Sequence, residues 1–64
     1  MNAESLARIT GQLREVFPQV SYGILEANVR AHAENLDVTE LTEAQVIHLA
    51  IEIDRARADG FFDN

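Results

Sequence analysis

Few residues of this chain have side chains suited to catalysis, and their spacing matches no enzyme motif. His48 and Glu52 are four positions apart, so on a helix they would share a face and could form a hydrogen bond. His32 has no partner for chemistry at a recognisable spacing, and we expect it to have a structural role. Neither histidine has a second histidine or a cysteine at a ligand-like spacing, and the His48–Glu52 pair lacks a third metal ligand. We therefore expect a protein that is not an enzyme and that binds no metal or cofactor.

The chain is acidic, which argues against nucleic acid as a direct partner. Eleven carboxylates and five arginines give a formal net charge of −6. Binding to phosphates begins with basic side chains, so we do not expect a DNA-binding helix-turn-helix. Most of the excess lies in residues 37–64, whose acids are Asp37, Glu40, Glu43, Glu52, Asp54, Asp59 and Asp63. This half suits a basic partner, although net charge also serves solubility.

Three segments with helical periodicity predict an all-α fold. Apolar residues recur every three or four positions in residues 3–17 and 21–35, and a third such segment covers residues 42–58. Short polar connections separate the three segments. We predict a small three-helix bundle that forms a single domain over residues 1–64.

The third segment carries more apolar surface than one neighbour can cover. It opens with the capping-box pattern of Thr42 and Gln45 and continues through residues 46–53, VIHLAIEI. On a helix its apolar side chains cover an arc of about 220°, whereas a surface helix needs little more than ~100°. We expect this helix to be central in the bundle. Its surplus apolar surface, together with the small size of the domain, predicts a homodimer.

Two phenylalanines follow Gly60, where the third helix is predicted to end. A residue after such a glycine often folds back onto the last helical turn. One of Phe61 and Phe62 would then close the core, and the other would remain outside as an aromatic contact for a partner. Together with Leu49 and Ile53, these are the residues that we expect at a self-association interface.

Residues 13–38 resemble the first half of a CUE domain, a ubiquitin-binding relative of the UBA three-helix bundle. The likeness rests on Phe17 and Pro18 at the end of the first helix, on Ile24 and the apolar residues after it, and on Leu36-Asp37-Val38 in the next loop. It implies a protein partner contacted through Phe17 and Pro18. The chain lacks the di-leucine that this family carries near the end of its third helix.

Two functions agree with these observations. The first is a protein–protein interaction module that self-associates through its third helix. The alternative is an acidic inhibitor of the phage or plasmid type, which blocks a nucleic-acid-binding protein with an acidic surface made of Glu40, Glu43, Glu52 and Asp59. No signal peptide or membrane span is visible, so we expect a cytoplasmic protein without a membrane partner.

Overall fold

All three predicted helices form, and short loops join them. In this computed structural model, which describes residues 1–62, α1 spans Ala3–Val16, α2 spans Tyr22–Asn35 and α3 spans Glu43–Ala58. No strand occurs in that part of the chain. The prediction of an all-α three-helix bundle is therefore confirmed. Asp63, one of the acids of the C-terminal half, lies outside the described residues.

Side-chain caps set the start of every helix. The side chains of Asn2 and Ser21 each accept a hydrogen bond from the backbone amide three residues later. The predicted capping box opens α3: Thr42 Oγ1 accepts from the Gln45 amide at 3.2 Å, and Gln45 Oε1 accepts from the Thr42 amide at 2.8 Å. These bonds satisfy amides that have no partner inside the helix. The helix starts therefore depend on local chemistry.

Helices α1 and α2 supply most of the core. Five residues of α1 and four of α2 are buried, but α3 buries only Leu49 and Ile53. The closest backbone packing is also between α1 and α2. The expectation that α3 is the central helix is therefore wrong, because α3 packs by one side only. The apolar core consists of Leu6, Ile9, Leu13, Phe17, Val20, Leu25, Val29, Ala33, Leu41, Leu49 and Ile53.

Helices α2 and α3 end in the same type of hydrogen-bonded turn. At the end of α3, the Gly60 amide donates to the Arg57 carbonyl and the Phe61 amide donates to the Ala56 carbonyl, both at 3.0 Å. Gly60 has a φ of 85°, and Asp37 takes the same left-handed position after α2 with a φ of 55°. This Schellman arrangement favours glycine, because a Cβ atom crowds the following carbonyl oxygen. Asp37 therefore carries strain that Gly60 avoids.

We expect Asp37→Gly to raise the free energy of unfolding by about 0.5–1 kcal/mol, because it relieves this strain. For so small a domain this corresponds to a few degrees in Tm, at about 4–8 °C per kcal/mol. Thermal unfolding followed by circular dichroism measures it. Glu34→Gly, placed where the backbone of α2 is helical, should instead destabilise the protein. Asp37→Asn removes the charge near the C-terminus of α2 and keeps a side chain, so it separates the charge effect from the backbone effect. An Asp37→Gly variant that is no more stable than the parent would contradict backbone strain at Asp37.

Candidate functional site

Two isoleucines of α3 project away from the core. Leu49 and Ile53 are buried and mark the inner side of the helix. Ile51 lies midway between them in sequence, so its side chain leaves the opposite side of α3. Ile51 is 51% exposed, and Ile47, one turn earlier, is 55% exposed. Helix α3 therefore presents apolar side chains to solvent as well as to the core.

The end of α1 extends this exposed apolar surface. Val16, the last residue of α1, is 65% exposed. It shares with Ile47 and Ile51 a shallow groove of about 320 Å³. The other residues that line the groove are Phe17, Ala50 and Asp54. We call the three exposed aliphatic side chains, Val16, Ile47 and Ile51, the α1–α3 patch.

A larger hollow of about 520 Å³ lies between α1 and the start of α3. Its polar groups are the guanidinium of Arg8, the amide of Gln12 and the carboxylate of Glu43. These groups can hold a ligand or a partner side chain through ion pairs and hydrogen bonds.

Several residues that the sequence predicts at an interface are core residues. Leu49 is 3% exposed and Ile53 is 1% exposed, because this side of α3 packs against the core. Phe17 is 4% exposed, and its amide donates to the Leu13 carbonyl at 2.8 Å where α1 ends. The CUE resemblance implies a surface contact through Phe17. In this fold only the small part of its side chain that lines the groove is open to such a contact. Pro18 beside it is exposed.

The sequence-based prediction did not select the members of the α1–α3 patch as interface candidates. Their signal is present, because Ile47 and Ile51 belong to the wide apolar arc of the third helix and Val16 belongs to the apolar repeat of the first. The arc shows that some apolar side chains must stay outside. Its width does not show which ones, because that depends on where α1 and α2 lie.

The two C-terminal phenylalanines have different surroundings. Phe62 is partly buried and packs against the core, whereas Phe61 is 76% exposed. Phe61 follows the end of α3, and at 1.5 Å per residue it begins about 10 Å or more along the helix axis from Ile51. Phe61 is therefore an exposed aromatic separate from the α1–α3 patch.

The four acids expected to form one acidic surface face different ways. Glu43 and Glu52 are nine residues apart on α3, which places them about 180° apart around the helix axis. The Glu40 carboxylate accepts a hydrogen bond from Ser5 Oγ at 2.8 Å, so it connects the loop before α3 to α1. Asp59 is the C-terminal capping residue of α3. Because Glu43 and Glu52 lie on opposite sides of α3 and Glu40 bonds to α1, the four acids do not form one continuous face.

A polar cluster of His32, His48 and Glu52 joins α2 to α3. His32 Nδ1 lies 3.5 Å from Glu52 Oε2, and the two imidazole centroids are 6.3 Å apart. The His32 side chain is 10% exposed, and its Nε2 has no hydrogen-bond partner within residues 1–62. Glu52 thus contacts a histidine on another helix, a pairing that helical spacing within α3 cannot reveal. In the same part of the chain, no three side chains of the metal-binding types come together to hold an ion.

No protein-family model matches this chain, and neither the curated proteins nor the solved structures contain a match. The resemblance to CUE domains stays a prediction. None of the three described helices is long and apolar enough to cross a bilayer. Function must be inferred from the surface itself, since a fold alone does not imply an activity.

We expect the bond between Ser5 and Glu40 to be structural, and a double-mutant cycle tests it. Ser5→Ala and Glu40→Ala should each lower the free energy of unfolding by about 1 kcal/mol. The double variant should lose little more than either single variant, because both changes remove the same bond. Urea unfolding measures all three. Glu15→Ala, at an exposed acid of α1, is the control and should stay within about 0.5 kcal/mol of the parent, while fully additive losses would contradict the bond.

Proposed function

We propose that this protein is a protein–protein interaction module that self-associates through the α1–α3 patch. The observation that carries the proposal is the exposure of Val16, Ile47 and Ile51, each more than half exposed and all lining one groove. Contiguous apolar side chains with polar groups at their rim are typical of interaction sites. Full burial of a valine or isoleucine side chain contributes about 1.5–3 kcal/mol, so covering this patch favours association.

A second copy of the chain suits the patch for two reasons. A twofold interface uses the same surface on both partners, so one apolar patch is enough for both. A domain of 64 residues also buries a limited core, and binding to a folded partner adds to its stability.

The size of the patch predicts a weak dimer. A standard interface takes about 800 Å² from each partner, and the accessible surface of this chain is 4345 Å². A standard interface would therefore cover nearly a fifth of the molecule, and three aliphatic side chains supply only part of that area. We expect a dissociation constant in the micromolar range or above.

We expect Ile51→Glu to weaken dimerisation at least about ten-fold, because it places a charge in the middle of the apolar contact. Sedimentation measures the solution mass from about 1 μM to 1 mM, a range chosen to span a weak dimer. Ile24→Glu is the matched control: it makes the same substitution on α2, at a residue that is 37% exposed and outside the patch. This control should dimerise like the parent, and circular dichroism verifies that both variants fold.

A parent protein that stays monomeric over this range would contradict self-association. The proposed dimer should not weaken strongly as salt rises, because apolar burial holds most of it and salt screens the repulsion between two copies of charge −6. The acidic-inhibitor alternative predicts a different result, namely binding to a basic nucleic-acid-binding protein that weakens as salt rises. Charge reversal at Glu40 and Asp59 together, two acids outside the patch, should weaken that binding and leave an apolar dimer intact.

A further inference from the structure

We infer that two copies pair α3 against α3 in antiparallel orientation, with Glu43 of each copy beside Arg57 of the other. This inference rests on the proposed self-association through the α1–α3 patch and names the geometry of that contact. It is carried by the order of apolar and charged side chains along the exposed side of α3.

The outward side of α3 has the spacing of a helix-pairing seam. Its exposed residues follow one another at alternating intervals of three and four: Ala44, Ile47, Ile51, Asp54 and Ala58. This is the spacing of the a and d positions through which paired helices meet. The two isoleucines lie in the middle, and the small alanines at both ends leave room for a second helix to approach. We call these five residues the α3 seam.

Glu43 and Arg57 lie on the same flank of the α3 seam. They are fourteen residues apart, which corresponds to about 40° around the helix axis and about 21 Å along it. Ala50, which lines the groove, is midway between them. The midpoint of Ile47 and Ile51 is one residue from Ala50, which is about 1.5 Å along the helix axis. The apolar and the charged contacts can therefore share one centre of symmetry.

The charges select between the two possible orientations. In an antiparallel pair with its twofold axis near Ala50, Glu43 of one copy is level with Arg57 of the other, and symmetry forms this attractive contact twice. In a parallel pair that meets through the same seam, the flank that carries Glu43 and Arg57 would lie against the opposite flank of the second copy, so the two residues would not meet. The attraction between Glu43 and Arg57 therefore forms only in the antiparallel pair, which it favours.

Glu43 and Arg57 remain available for contacts with a second copy. Glu43 is exposed and takes part in no ion pair within residues 1–62. Arg57 donates to Asp54 Oδ1 at 3.0 Å, and its side chain is 43% exposed. A guanidinium carries five N–H donors, so it can bind Asp54 and a second carboxylate together. Asp54 belongs to the α3 seam, and its negative charge is balanced at the interface by Arg57 of the same helix.

Charge reversal at the two positions, alone and together, tests the pairing. Glu43→Arg and Arg57→Glu each create two like-charge contacts in an antiparallel dimer, and each should raise its dissociation constant about ten-fold. The double variant restores opposite charges and should return to within about three-fold of the parent. Sedimentation gives the dissociation constants.

Glu34→Arg and Arg30→Glu are the matched controls, since they make the same two changes of net charge on α2, outside the α3 seam. They should leave the dissociation constant within about three-fold of the parent. All four positions are exposed on helices, and circular dichroism verifies that the variants fold.

The outcomes separate this inference from the proposed function. Single variants that dimerise like the parent, or a double variant no better than the single ones, would overturn the antiparallel pairing. If Ile51→Glu still abolished the dimer in that case, self-association through the patch would stand. A parent that is monomeric at every concentration would overturn the proposed function and the pairing together.

Discussion

Helix α3 packs against the core by one side only, and this one-sided burial determines what the molecule shows to solvent. Helices α1 and α2 pack most closely with each other, and α3 contributes only Leu49 and Ile53 as fully buried side chains. A chain of 64 residues has too little apolar surface to enclose a third helix on every side. The outer isoleucines of α3 consequently stay in water, and any use of them requires a second molecule.

Local hydrogen bonds fix the ends of the helices that carry the exposed patch. The capping box of Thr42 and Gln45 begins α3 one turn before the patch, and the left-handed turn at Gly60 ends the helix after it. The bond between Ser5 and Glu40 holds the loop between α2 and α3 near α1. A backbone that is already helical needs no further ordering when it binds, so even a small patch on such helices can support association.

The position of each charge matters more here than the total. Glu40 and Glu52 contact Ser5 and His32, and these contacts connect separate parts of the fold. A net charge of −6 on each copy opposes self-association. In the proposed pairing, the attraction between Glu43 and Arg57 partly offsets this repulsion where the two helices meet.

The amino-acid sequence is enough to predict the number of helices, their limits to within one residue, the capping box and the left-handed glycine after α3. Each of these depends on residues within about four positions of one another. The sequence also showed that the third helix has surplus apolar surface. Packing against α1 and α2 sets which side of this helix faces inward, so that Leu49 and Ile53 are buried and Ile47 and Ile51 are exposed. These four side chains are chemically alike, so their burial is set by helices distant in sequence. The same reason places Phe17 in the core and brings His32 to Glu52.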